Sequence, residues 1–330
     1  MSAPRSSRNW FLGLAGVLLV ACAGLIWWRF DTDIDAARSR VAQGGTAIDT
    51  PCGTIEYQEA GAGAPLLAIH GSGGGFDQGM AFAGPLAAGG VRVIAISRFG
   101  YLRTPMPDDA SAQAQADAFV CLLDALDIDK AAVVGGSAGA LSALQMAIRH
   151  PDRVSALVLL APLAWKPPTK ADSAAPMAPW VEATMMSVIG SDFLFWSALH
   201  LARRQLIATV LATPPALLDS ASAAERARID AMLDAILPVS ARAEGLLSDT
   251  AAGKALTQAA LERVTAPTLI ISARDDRYGV FAGAEYTAGR IAGARFIGFD
   301  TGGHAWVGHN DEVMAAIRDL VVPPSAIPGR

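Results

Sequence analysis

Apolar and polar positions are arranged along this chain in three ways. Near the N-terminus, Trp10 to Trp28 is apolar throughout, about 19 residues, long enough to cross a bilayer as one helix. Further on, short apolar runs alternate with longer amphipathic stretches. The short runs are Gly53–Glu59, Pro65–Ile69, Val91–Ile96, Ala131–Val134, Val154–Leu160, Thr268–Ile271 and Arg295–Phe299. Bounded by glycine, proline or polar residues, they predict strands. Between them, Ala112–Leu126 brings Phe119, Leu122, Leu123 and Leu126 to one side at helical spacing, and Asp311–Val321 forms a last amphipathic helix. Strands that are apolar almost throughout predict an α/β fold, with a mostly parallel central sheet flanked by helices on both faces.

The third arrangement runs from Ala164 to about Leu261. It holds helix-like segments and proline joints, Pro167-Pro168 and Pro214-Pro215, but no convincing strand. It reads as a helical cap inserted over the carboxyl edge of the sheet. Its bulky residues (Trp180, Met185, Met186, Phe193, Phe195 and Trp196) could line a pocket, although for any one of them plain core is the simpler role. The expected plan is therefore a membrane segment over 1–30, a polar linker over 31–50, a core from 51–163 and 262–330, and a cap insertion over 164–261.

Composition narrows the choice. The chain is 52% hydrophobic and 17% charged, with a net charge of −5; so low a charged fraction implies a neutral or membrane-facing surface. No basic block suits nucleic acid. Three cysteines, Cys22, Cys52 and Cys121, make no disulfide framework, and no Cys/His cluster has metal-ligand spacing, so neither metal nor cofactor is expected. Arg5 and Arg8 precede the apolar run, and Trp10, Phe11, Trp27 and Trp28 form aromatic ends suited to bilayer interfaces. The reading taken is an uncleaved anchor with the folded domain outside the cytoplasm, in the periplasm. A cleaved signal peptide and a lipoprotein signal at Leu19-Val20-Ala21-Cys22 are the alternatives.

The most informative segment is Val133-Val134-Gly135-Gly136-Ser137-Ala138-Gly139-Ala140. A strand runs into Gly-x-Ser-x-Gly and a helix follows, which exposes a serine on a sharp turn. A serine hydroxyl needs a base to take its proton and a third group to orient that base. His304, in Gly302-Gly303-His304-Ala305-Trp306 just past the last strand, is the expected base, with His309 its rival. His150, His200 and His70 fall at a helix end, in the insertion and in a glycine-rich loop. The loop Arg274-Asp275-Asp276-Arg277 directly follows a strand and offers two candidate acids, which chemistry alone does not separate. An oxyanion also needs preorganised donors. The expected ones are the amides of Ala138 and of Ser72, in His70-Gly71-Ser72-Gly73-Gly74-Gly75.

These residues resemble the α/β-hydrolase superfamily over roughly 53–320. His70-Gly71-Ser72-Gly73 looks like its oxyanion loop, Gly135–Ala140 its nucleophile turn, Arg274–Arg277 its acid loop and Gly303-His304 its histidine loop. The resemblance favours Asp276 as the acid. Ser97–Thr104 is similar to an Asp-x-x-Gly-x-Gly-x-Ser loop, with Ser97 in place of the acid and Leu102 in place of a glycine. Tyr278-Gly279-Val280 stands where a proline is common. The implied activity is hydrolysis of a carboxylic ester of a small, apolar molecule by Ser137, His304 and Asp276. Alternatives are carbon–carbon bond hydrolysis, to whose enzymes these loops are also similar, acyl transfer, or a non-catalytic membrane-anchored binding protein. Oligomeric state is not legible.

Overall fold

The computed structural model describes residues 5–168, 187 and 190–322. Eight strands form one sheet: β1 (Thr46–Thr50), β2 (Gly53–Ala60), β3 (Ala64–Ile69), β4 (Val91–Ile96), β5 (Ala131–Gly136), β6 (Val154–Leu160), β7 (Thr268–Ala273) and β8 (Arg295–Phe299). Their spatial order is β1-β2-β4-β3-β5-β6-β7-β8. The first two pairings, β1 with β2 and β2 with β4, are antiparallel; every later pairing is parallel. All six residues of β5 and of β7 are buried. Burial on both faces is why these strands read as unbroken apolar runs rather than alternating ones.

Helices cover the two faces. On one side lie α3 (Ala112–Ala125), α4 (Gly139–Arg149) and α10 (Phe281–Arg290); on the other lie α2 (Phe76–Ala83) and α11 (Asn310–Val321). The insertion contributes five helices among the described residues: α5 (Asp192–Leu201), α6 (Arg203–Thr209), α7 (Leu217–Ser220), α8 (Ala223–Asp234) and α9 (Ala243–Lys254). Trp180, Met185 and Met186 lie outside the described residues. Phe195 and Trp196 are buried in a separate apolar cluster, as core.

The expected linker over 31–50 does not exist as one. Helix α1 runs unbroken from Arg5 to Gly44, and β1 follows at once. The two halves of α1 differ. Trp10 and, from Leu12 to Trp28, its large apolar residues are exposed, and the helix is long and apolar enough to cross a membrane. From Trp27 onward it meets the insertion, and from Phe30 one side of it is buried there. Phe30 and Ile34 are buried with Phe195, Trp196 and Leu199. Asp33 accepts from the Trp196 indole at 3.0 Å, Arg38 reaches Asp192 at 3.4 Å, and Arg40 pairs with Asp77. The polar residues that suggest a linker are the ones that make this contact, with partners distant in sequence. Cys52 and Cys121 form a disulfide, joining the start of β2 to α3, so the cysteines do supply one crosslink.

Candidate active site

Four loops meet at the carboxyl ends of the parallel strands, where open α/β sheets gather their ligands. The loop after β3 carries His70 to Gly75, the turn after β5 carries Ser137, the loop after β7 carries Asp275 and Asp276, and the loop after β8 carries His304.

Ser137 has a φ of 50°, a left-handed backbone that costs a non-glycine residue roughly 1–2 kcal/mol. The surroundings hold it there. Its amide donates to Leu160 at 2.8 Å, and its carbonyl accepts from Ala140 at 3.1 Å and Leu163 at 3.0 Å. Close approach explains two of the glycines. A β-carbon on Gly139 would collide with the carbonyls of Ile69 and His70, and one on Gly71 would lie 2.9 Å from the Ser137 β-carbon. The glycine loop and the serine turn are thus in direct contact.

His304 Nδ1 lies 2.6 Å from Asp276 Oδ2. The Asp276 side chain is fully buried and that of His304 is partly exposed, at 15%. The other Asp276 oxygen accepts from the Tyr278 amide at 2.8 Å, a bond that a proline at 278 could not make. With Nδ1–H donating to the carboxylate, the His304 Nε2 lone pair is left to accept a proton. Tyr278 meets His304 edge-on, with ring centroids 5.0 Å apart, and its hydroxyl donates to the Val210 carbonyl at 2.9 Å. Asp275 has a different partner, the Gly303 amide at 2.7 Å. His309 caps α11, and its ring stacks on Phe299 with centroids 3.9 Å apart. Of the two aspartates and two histidines, the structure brings Asp276 and His304 together.

The remaining histidines have local partners. His150 ends α4 and reaches Asp117 at 2.7 Å; His200 Nδ1 lies 2.9 Å from the Trp196 carbonyl. His70 is wholly buried. Its Nδ1–H donates to the Gly71 carbonyl at 2.6 Å and its Nε2 accepts from the Arg98 amide at 3.0 Å. Burial, helped by the Arg98 charge, holds this ring well below the ordinary histidine range, so it is a neutral brace.

The glycine loop is fixed residue by residue. The Gly71 amide donates to Gln78 Oε1 at 2.8 Å, the Gly73 amide to the Tyr101 hydroxyl at 3.3 Å, and the Gly74 amide to the Gly71 carbonyl at 3.3 Å. Among the described residues, the amides of Ser72 and Ala138 and the hydroxyl of Ser137 have no hydrogen-bond partner in the chain. Beside α4, a cavity of ≈160 Å³ is lined in part by Leu141, Leu144, Ala164, Trp165, Ala252 and Leu256.

The chain matches the α/β hydrolase fold model over residues 64–307. It belongs to the α/β-hydrolase family. Over 106 residues it is 42% identical to the 2-hydroxymuconate semialdehyde hydrolase of Pseudomonas sp. strain CF600, a match covering 31% of this chain and only 38% of that enzyme. Over 194 residues it is 30% identical to the pimeloyl-[acyl-carrier protein] methyl ester esterase of Aromatoleum aromaticum, covering 58% of this chain and 74% of the esterase. Among solved structures, an α/β hydrolase fold protein from Nakamurella multipartita superposes with a TM-score of 0.67 at 26% identity, covering 84% of this chain and 98% of that one.

Two departures from the family pattern have physical answers here. Ser97, at the usual acid position, donates its hydroxyl to buried Glu56 at 2.9 Å and accepts from the Phe76 amide at 3.2 Å. The acid is supplied by strand β2, and Glu56 also takes Arg103 Nε at 2.6 Å. Leu102, at a glycine position, keeps a φ of 53°, held by its amide donating to the Ala241 carbonyl at 2.8 Å. Glu56, Gln78 and Asp249 sit in no sequence motif; Gln78 acts on the loop just before its own helix, while Glu56 and Asp249 act across long stretches of chain.

Proposed function

We propose that this chain is a membrane-tethered serine hydrolase of a carboxylic ester. Ser137 Oγ attacks the ester carbonyl carbon while His304 Nε2 takes the hydroxyl proton. Asp276 orients the imidazole and stabilises its charged form. The amides of Ser72 and Ala138 receive the oxyanion. His304 then protonates the leaving alkoxide, and an acyl-enzyme remains. Water, deprotonated by His304, attacks the acyl carbon; collapse of that intermediate returns the carboxylic acid and free Ser137.

The observation that carries this reading is the 2.6 Å His304–Asp276 contact, on the same sheet edge as a serine with a φ of 50°. In the resting enzyme the Ser137 hydroxyl is uncommitted, and its bond to His304 forms when substrate is bound. A fluorophosphonate probe should label the enzyme covalently at Ser137. Ser137→Ala should remove both the labelling and, by a factor on the order of 10⁶, the hydrolysis; full activity in that variant would refute the proposal.

A second reading is hydrolysis of a carbon–carbon bond in an unsaturated keto acid, and the 42% identical relative favours it. Such a substrate carries a carboxylate. Against it, the two buried arginines near the glycine loop are already paired: Arg98 with Asp249, and Arg242 with Asp77. Balanced charge at these two arginines suits an uncharged ester. Turnover of nitrophenyl esters against a muconate semialdehyde separates the two.

The exposed apolar half of α1 supports the tether, and the Cys52–Cys121 disulfide supports an oxidising compartment, hence a domain outside the cytoplasm. A reporter fused at Arg330 and active only in the cytoplasm would overturn that orientation.

A further inference from the structure

Asp249 lies on the insertion but spends its carboxylate on the core. Helix α9 begins against the loop after β4. The Gly245 amide donates to the Gly100 carbonyl at 3.0 Å, and a β-carbon at Gly245 would run into the Tyr101 ring. One turn later, the Asp249 carboxylate accepts from Arg98 Nη1 at 2.7 Å and Nη2 at 2.6 Å, from the Tyr101 hydroxyl at 2.5 Å and from the Ser72 hydroxyl at 2.9 Å. The Tyr101 oxygen in turn accepts from the Gly73 amide. Burial, reinforced by the Asp249 charge, pushes the Tyr101 phenol well up, so it stays a donor. Two successive residues of the glycine loop, 72 and 73, are therefore tied to one carboxylate in the insertion, directly and through Tyr101.

We propose that Asp249 is a positioning residue. It sets the Ser72 amide at the height of the Ala138 amide, so the oxyanion site is complete only when the insertion is seated. This rests on the reading of Ser137 as nucleophile and Ser72 as amide donor. The leverage is steep, because oxyanion donors act within a few tenths of an ångström of their best distance and a displacement of about 1 Å can cost a factor near 10².

The test uses the full chain in detergent, a nitrophenyl ester and a trifluoromethyl ketone, which adds to the serine as an oxyanion. Asp249→Asn keeps the shape and loses the charge. Expected is a fall in kcat of about 30- to 100-fold with KM changed by less than about threefold, and a matching loss of ketone affinity. A merely structural latch would lower the melting temperature and leave ketone affinity in the folded enzyme unchanged, which overturns the proposal. So would kcat and ketone affinity both within about twofold of the parent. If Asp249→Asn does not fold, Ser72→Ala decides; it removes only an exposed hydroxyl and keeps the amide. A parallel loss of about three- to tenfold in kcat and ketone affinity supports positioning, and unchanged values refute it. Fluorophosphonate labelling of the parent enzyme, absent in Ser137→Ala, separates the two levels. Without labelling the reading of the site fails; with labelling but no Asp249 effect, only this proposal does.

Discussion

The core and the insertion are held together by different forces. In the core, β3 to β7 are buried on both faces, and the two sides of the sheet pack almost wholly through apolar side chains. The insertion has an apolar cluster that also takes in Ala305 and Val307 of the core, and its joints to the core add buried ion pairs. Arg242, wholly buried, grips Asp77 at 2.8 Å and the carbonyls of Gly74 and Ala235; Arg98 grips Asp249. Apolar packing tolerates small shifts in register. A bidentate arginine–carboxylate pair does not, because both hydrogen bonds must align. The joints that must aim something, the glycine loop above all, are the charged ones.

This contrast can be attacked from either side. The largest effect belongs to the core. Asp276→Asn leaves the fold intact but removes the charge facing His304, and kcat should fall by about 10³–10⁴ with little change in melting temperature; steady-state kinetics beside a thermal melt checks both. Next comes the joint. Asp77→Ala strands Arg242 in the interior and should cost about 3–5 kcal/mol in chemical denaturation. A loss below about 1 kcal/mol would mean that apolar packing, not charge, seats the insertion. Ile34→Ala empties a site between α1 and the insertion and should cost about 2–4 kcal/mol by the same measurement. The smallest effect is on pH. His70 is held neutral by burial, so its folded pKa lies below the ordinary 6.5. The unfolded chain then takes up a proton first as pH falls. Stability is full above about pH 6.5 and declines below it. Asp77, held low because Arg242 and Arg40 outweigh its burial, adds a further decline only near and below the ordinary carboxylate range. Melting curves between pH 7 and 5 should therefore slope less in His70→Asn.

Much of the core was readable in advance because its signals are local. The runs Val91–Ile96 and Val154–Leu160 coincide with β4 and β6, since a strand buried on both faces must be apolar along its length; Arg295–Phe299 coincides with β8, a partly exposed edge strand. Ser137 and His304 were readable because a strained turn and a strand-end loop need particular neighbours. Asp276 took the family likeness to choose, and geometry now pairs it with His304. What stayed hidden depends on partners far along the chain. Residues 31–44 look like a linker until Phe195 and Trp196 are brought against Phe30 and Ile34. Glu56 looks like a surface residue of an entry strand until Ser97 and Arg103 close over it. Asp249 is one more acidic residue on a helix until the fold sets Ser72 beneath it.

The docked half of α1 also determines where the polypeptide can be divided. A soluble version made by starting at β1 would strip Phe30 and Ile34 from the aromatic patch formed by Phe193, Phe195 and Trp196, and would leave Asp192 without Arg38 and the Trp196 indole without Asp33. Such a protein would present fresh greasy surface and clump. The exposed part of α1 meets the folded domain near Trp27, inside a continuous helix, and a chain beginning there should stay in solution without detergent.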